Sequence, residues 1–283
     1  MISMLERKEP VIAFGTGGAT PPPRVQHIER APRYAPTGEL TRKILKERFW
    51  KTLEHRCRTL NLSQETFEAF LIEAARHAGS FCDVETISAT MSGLFKYEPI
   101  MAMTPHPLLL VGGTQGTRMR VALALSQRTE WSGRRVALYS MQQGRFPTPI
   151  AIYAGGIDIL NIGSVDACID AVRAREPNEL AIIDASCLDE QAHDPSSLQK
   201  LTLSLNAEAI YVDDSISALP RSDRLSGIER LILWGRSSPE HFGALLDMAH
   251  MQGLAFAGQC TMSGIYHPLT PDMLAERFTQ STH

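Results

Sequence analysis

Hydrophobic residues follow two different patterns along the chain, and the change between them divides it into parts. From Glu39 to about Leu94, apolar residues recur at spacings of three and four or their multiples, which is typical of amphipathic helices. The first such set is Leu40, Ile44, Leu53, Cys57 and Leu60. This pattern predicts a small helical domain.

Polar residues indicate where the individual helices begin and end. Ser63 is placed to cap a second helix, Gly79 to end it, and Asp83 to cap a third helix over "VETISATMSGLF". Glu54 and Arg58 form one of several i,i+4 pairs in the favourable order. The acidic residues are interleaved with the basic ones, so this face is predicted to be solvated and not to bind nucleic acid.

From Leu108 onward, short apolar runs alternate with amphipathic helical stretches. The runs are "PLLLVGG", "RRVALYS", "GIDILNIG", "ELAIIDAS", "AEAIYVDD", "ERLILWG" and "GLAFAG". They are typical of buried parallel strands, and the alternation predicts an α/β fold with a doubly wound, mostly parallel sheet. Such sheets bind ligands at the carboxyl ends of their strands, so those ends are the predicted location of a site.

The predicted organisation has three parts. Residues 1–37 form a Pro/Gly-rich flexible arm, residues 38–104 a helical N domain, and residues 105–283 the sheet domain. The arm contains "GTGGATPPPRVQHIERAPRYAPTG", whose composition disfavours regular structure.

Composition narrows the functional classes. The 283 residues are 43% hydrophobic and 21% charged, with a formal net charge of -3, so no global attraction to nucleic acid is expected. Five cysteines without CxxC or Cys/His spacing predict neither a zinc site nor a disulfide framework. The N-terminus lacks the pattern of a secretory signal, and no apolar segment is long enough to span a membrane. A cytoplasmic protein is the expectation.

The stretch "LLLVGGTQGTRMRVALALS" has the strand–turn–helix shape of a phosphate-binding loop. A working loop of this kind reads GxxxxGK[ST]. If Gly112 is the first glycine, then Thr117, Arg118 and Met119 stand at the positions of the second glycine, the lysine and the Ser/Thr magnesium ligand. Gly116 keeps a glycine one position early. If the loop is a decayed P-loop, the helix after it is expected to begin at about Arg118. A strand–turn–helix without a ligand is the better interpretation of these residues alone.

The order of elements around this stretch resembles the signal-recognition-particle class of GTPases, and most of all its flagellar branch, FlhF. The resemblance is carried by a helical domain followed by "LLLVGGTQGTRMRVALALS", "RRVALYSMQQGRFPTPIAIYA", "ELAIIDAS" and "ERLILWGRSSPEHFGALLDMA". It implies a helical N domain packed on a P-loop G domain, with GTP and magnesium as the family's ligands. No cofactor is expected here, because the contacts to them have changed.

The family's motifs are found here in the same order, but most of the residues that contact the nucleotide in the family are replaced. In the family's DTxR motif the Arg is matched by Arg145, and Gln142 stands in place of the Asp. In the DTAG motif Asp184 is retained and Cys187 replaces the Gly.

The base-reading TKxD motif becomes "WGRS", with Gly235 and Ser237 where the Lys and the Asp belong. The aromatic-Gly pair that follows at the family's distance is Phe242-Gly243. The predicted remnant nucleotide site thus consists of Gly112, Gly116, Thr117, Arg118, Met119, Arg145 and Asp184.

Several of these residues also have simpler interpretations. Arg118 is expected to pair with a neighbour on its own helix, and Arg145 to be a surface residue. Asp184 either caps the next loop or keeps a role in the site. Asp213 and Asp214 could hold a metal or perform acid–base chemistry, but loop solvation is the preferred interpretation.

Three hypotheses follow for function. The first is a degenerate GTPase that acts as a binding or scaffold protein in flagellar placement or protein targeting. Its partner would be a second copy or an active relative, in the cytoplasm or peripheral to the inner membrane. The second is an active GTPase with divergent motifs. The third is an unrelated α/β enzyme with its site near Asp213 and Asp214.

Replacing Thr117, Arg118 and Met119 by the P-loop residues is expected to leave the core untouched.

Overall fold

A computed structural model describes most of the chain. The described residues are 47–77, 84–101, 104–128, 133–141, 157–185, 195–214, 217, 219–220, 227–235 and 237–280. The predicted arm (1–37), Gly79, Asp83, Gln142, Arg145 and Cys187 lie outside them.

Eight helices and nine strands make up the described part. The helices are α1 Glu47–Thr59, α2 Gln64–His77, α3 Val84–Leu94, α4 Gln115–Ser126, α5 Val165–Arg173, α6 Pro195–Leu205, α7 Pro239–Gln252 and α8 Pro271–Gln280. The strands are β1 Lys96–Tyr97, β2 Leu108–Val111, β3 Arg135–Ser140, β4 Ile157–Asn161, β5 Glu179–Asp184, β6 Glu208–Asp213, β7 Arg230–Trp234, β8 Ala255–Cys260 and β9 Tyr266–His267. All seven strands predicted from apolar runs are present.

The strands form one sheet in the order β1-β8-β7-β6-β2-β5-β3-β4, with β9 paired to β8. All neighbours along this order are parallel, and the β8–β9 pair is antiparallel. The prediction of a doubly wound, mostly parallel sheet is confirmed. Strands β3, β4 and β5 lie on one side of β2, and β6, β7 and β8, which follow them in sequence, lie on the other side. The order therefore reverses between β2 and β6, which makes this boundary the switch point of the fold.

The two faces of the sheet bury different layers. Along β2, Leu109 and Val111 belong to a cluster that includes α1–α3 and α5–α8, while Leu108 and Leu110 pack with α4. We call these the α7 face and the α4 face. Successive strand residues point to opposite faces, so this membership also fixes where polar residues at the strand ends point.

Helix α7 joins the helical N-terminal region to the sheet. A Cβ added at Gly243 would lie 1.7 Å from the carbonyl oxygen of Leu60, so only glycine allows this approach. Further along α7, the Asp247 carboxylate accepts hydrogen bonds from the backbone N–H and the hydroxyl of Ser63. Ser63 also accepts from the N–H of Thr66, as a residue capping α2 does. The N-terminal helices α1–α3 and the α7 face of the sheet therefore share one hydrophobic cluster.

Candidate functional site

The turn after β2 needs both of its glycines. Gly112 and Gly113 have φ values of 76° and 54°, in the left-handed region that favours glycine. A Cβ at Gly112 would meet the ring of Tyr211 at 2.1 Å, and one at Gly113 would lie 2.9 Å from the carbonyl oxygen of Val212. The turn is thus packed against β6, the strand beside it.

Helix α4 begins directly after this turn. Its N-cap is Thr114, whose hydroxyl oxygen accepts a hydrogen bond from the N–H of Thr117 at 3.3 Å. The helix therefore starts at Gln115, earlier than the start near Arg118 expected from the P-loop alignment. Gly116 and Thr117 both lie in its first turn, without positive φ, so the Cβ of Thr117 causes no backbone strain.

Arg118 turns inward and fills the space beneath the glycine turn. Its side chain is 2% exposed, and its Nε donates to Oδ1 of Asp184 at 2.7 Å. Its Nη1 donates to the carbonyl oxygen of Gly113 at 2.8 Å and to that of Gly112. The partner lies on β5, and not on helix α4 as the sequence suggested, because Asp184 ends β5 on the α4 face.

Met119 is a core residue. It is 0% exposed and packs among the apolar side chains of the α4 face. The expectation that replacing Thr117, Arg118 and Met119 would leave the core untouched is therefore wrong, since all three are buried.

Asp213 and Asp214 are also buried, at 1% and 2% exposure, so their interpretation as solvated loop residues is wrong. They point to opposite faces, because Ile210 and Val212 belong to the α4 face and Tyr211 to the α7 face. Each carboxylate meets the first turn of a different helix.

The Asp214 carboxylate contacts the start of α4. Its Oδ2 accepts from the backbone N–H of Thr114 at 2.5 Å and from the hydroxyl of Ser217 at 3.1 Å. Its Oδ1 accepts from the N–H of Ser217 at 2.8 Å. The carboxylate therefore ties the glycine turn to the segment that follows β6.

The Asp213 carboxylate contacts the start of α7. Its Oδ1 lies 2.7 Å from Nε2 of His241, which is in the first turn of α7 and follows the N-cap Ser238. Sequence analysis missed this pairing, because it depends on β7 lying beside β6. Within the described residues no group of three His, Cys, Asp or Glu side chains could hold a metal, and the two aspartates cannot share one across the sheet.

Ser140 is a second site residue that sequence analysis missed. It ends β3, is paired in register with Asp184 of β5, and is 0% exposed. Alternation along β3 places its side chain on the α4 face with Asp184, since Leu138 belongs to that face. In the described part of the chain its hydroxyl has no hydrogen-bond partner.

The segment that the resemblance assigns to base recognition, which includes Gly235, is contacted by Met262 and Arg277. Gly235 has φ 64°, and a Cβ there would lie 3.2 Å from Sδ of Met262. Its carbonyl oxygen accepts a hydrogen bond from Arg277. Met262 is itself 68% exposed, so this corner of the sheet edge presents a thioether to the solvent.

Two buried acids beside this corner are held neutral. Burial raises the pKa of the Cys260 thiol to about 12, and burial likewise raises the pKa of the Tyr266 phenol to about 12. Both groups, which are already uncharged at neutral pH with their ordinary pKa values, therefore stay uncharged well into the alkaline range.

No helix in the described ranges has the length and apolar character needed to cross a membrane. No protein-family model matches the sequence, and no curated protein matches it.

Comparison with solved structures finds the same fold. Chloroplast FtsY from Physcomitrella patens matches with a TM-score of 0.58 and 12% identity, over 89% of this chain and 97% of that one. FlhF complexed with GTP and Mg²⁺ matches with a TM-score of 0.55 and 10% identity, over 80% and 98%. The 54 kDa signal recognition particle protein from Aeropyrum pernix in complex with GDP matches at 0.54 and 15%, over 86% and 62%. The fold implied by the sequence resemblance is confirmed.

Proposed function

We propose that this protein is a degenerate relative of the signal-recognition-particle GTPases that acts by binding a protein partner. The partner is a second copy or an active GTPase of the same fold. The setting is flagellar placement or protein targeting, in the cytoplasm or peripheral to the inner membrane. No nucleotide is needed for the fold.

The burial of Arg118 is the observation that carries this proposal. A phosphate-binding loop places a cation where it can reach the outer phosphates. Here the guanidinium is 2% exposed and bonded to Asp184 and to the carbonyl oxygen of Gly113. Reaching a phosphate would take the guanidinium away from the buried Asp184 carboxylate, and separating a buried charge from its ion-pair partner typically costs ~3–5 kcal/mol.

The base-reading corner supports the same conclusion. Reading guanine requires a carboxylate that accepts hydrogen bonds from the ring. Ser237 offers a hydroxyl instead, and Met262 lies against Gly235. Each charge-assisted hydrogen bond that is lost removes ~1.5–3 kcal/mol, and every ~1.4 kcal/mol is a tenfold change in Kd.

A second candidate is nucleotide binding with divergent motifs. Two observations favour it: Gly112 and Gly113 keep positive φ values ahead of a capped helix, and two of the matching structures are complexes with GTP or GDP. In that case Arg118 would have to change partners when the nucleotide binds.

Calorimetric titration with GTP, GDP and ATP, with and without magnesium, separates the two candidates. The proposal expects no affinity tighter than about 1 mM for any of them, and no ligand-dependent rise in Tm. Magnesium-dependent GTP binding in the micromolar range would refute it. Light scattering after gel filtration, alone and mixed with an active GTPase of this fold, tests the partner.

A further inference from the structure

The Asp214 carboxylate lies against the glycine turn, beside Gly113 and Thr114. Besides accepting from Thr114, it packs beside Gly113: its carboxyl carbon and its Oδ2 would each lie 3.4 Å from a Cβ at that glycine. Its own position is fixed by two hydrogen bonds from Ser217. At 2% exposure it is shielded from water.

The electrostatics of this position favour a negative group. The first turn of a helix carries unpaired N–H donors and a positive partial charge, and both attract anions. The N–H of Thr114 points to Asp214 at the start of α4, a helix of 12 residues. A ligand's anionic oxygens approaching this turn would meet a carboxylate already in place.

A separate observation on the α4 face is the buried hydroxyl of Ser140. Ser140 is 0% exposed, and its hydroxyl has no hydrogen-bond partner within the described chain. It lies beside Asp184, the partner of Arg118, on this face. A buried hydroxyl without a partner is costly, and natural cores rarely retain one without a reason.

We propose that the contact between Asp214 and Thr114 is an autoinhibitory latch, which holds the glycine turn closed against phosphate-bearing ligands. The inference rests on the proposed function, since it explains how the loop stays folded and closed without nucleotide. Releasing the carboxylate frees the N–H of Thr114 for a phosphate oxygen. The Ser140 hydroxyl lies on the same face, at the end of β3 and beyond β5 from this turn, where it offers such a ligand a second polar group.

The test compares Asp214→Asn with Asp213→Asn in the full chain. Both variants remove one buried carboxylate charge from the end of β6, but Asp213 contacts His241 on the opposite face. Hydrogen exchange of the segment 112–118 reports opening of the turn. Titration with inorganic tripolyphosphate at constant ionic strength reports binding without any requirement for a base.

The latch predicts that Asp214→Asn speeds amide exchange in the turn at least tenfold and tightens tripolyphosphate binding at least tenfold. Asp213→Asn should change neither. Ser140→Ala added to Asp214→Asn should lower the gained affinity severalfold. Ser217→Ala, which removes one hydrogen bond to Asp214, is a milder variant that should give a smaller gain in the same direction.

Unchanged exchange and unchanged binding in both Asp214→Asn and Ser217→Ala would overturn the latch. An equal gain in Asp213→Asn would overturn it as well, since that points to general loosening. Tight GTP binding by the wild-type protein would instead refute the proposed function, so the two failures are distinguishable.

Discussion

Replacing Arg118 with Met tests whether the guanidinium truly supports the loop from within. The change keeps a long side chain and removes the charge, so the Asp184 carboxylate stays buried at 0% exposure without this partner. The carbonyl oxygens of Gly112 and Gly113 lose a donor at the same time. We expect a large loss of stability.

The magnitude follows from burial. Removing one member of a buried ion pair typically costs ~3–5 kcal/mol, because the other charge remains out of water. Asp184→Asn should cost less, since the guanidinium keeps its bond to Gly113. The double variant removes both charges and should recover part of the loss, which gives a coupling energy of at least about 2 kcal/mol.

A matched control is present in the same chain. Arg135 and Asp158 form an Arg–Asp pair at 2.6 Å, close to the 2.7 Å of the buried pair, but their side chains are 56% and 58% exposed. The same double-variant cycle there should give at most about 1 kcal/mol.

Urea unfolding of the wild type and of the two single variants and the double variant at each site, followed by circular dichroism, supplies the free energies of unfolding. The slope against urea concentration must stay constant for the comparison to hold. A cost below about 1 kcal/mol for Arg118→Met would refute the buried pair. Equal coupling at the two sites would show that burial does not set its strength.

Gly243→Ala should lower Tm sharply, because the new Cβ would lie 1.7 Å from the carbonyl oxygen of Leu60. Gly116→Ala should raise Tm slightly, because alanine favours the helix and its Cβ would have no atom within 4 Å. Thermal unfolding of the two variants and the wild type measures both changes. Ser140→Ala alone should be neutral or stabilising by up to about 1 kcal/mol, since it removes a buried hydroxyl that has no partner among the described residues. A measurable loss of stability would show that the hydroxyl does have a hydrogen-bond partner. Because the pKa of Cys260 is raised to about 12 from an ordinary 9.0, its contribution to stability is complete below pH 9 and is lost as pH rises towards 12. Melts of Cys260→Ala and wild type across that range should therefore converge, and parallel curves would contradict the raised pKa.

The sheet could be predicted from sequence because its buried strands are continuous apolar runs. β1 and β9 escaped notice because strands of two residues carry no periodic pattern. Helix α4 was placed too late, because the P-loop alignment drew attention away from Thr114 as a cap.

The site was only partly predictable. Arg118 and Asp184 were both identified, but their contact spans 66 positions and depends on the strand order, which local patterns do not determine. Asp214 was misjudged for a related reason: two adjacent carboxylates look solvated until alternation along β6 assigns them to opposite faces. That alternation is readable from sequence once the strand is accepted.

The opposed aspartates at the end of β6 also bear on how the chain reaches its fold. Asp214 contacts the turn after β2, and Asp213 contacts the helix after β7. The end of β6 is therefore fixed by contacts on both of its sides. A slip of one residue would turn both carboxylates to the wrong face, where neither would meet its donor. Both contacts form only when β6 is in register, so the two adjacent carboxylates make a slipped register of this strand costly.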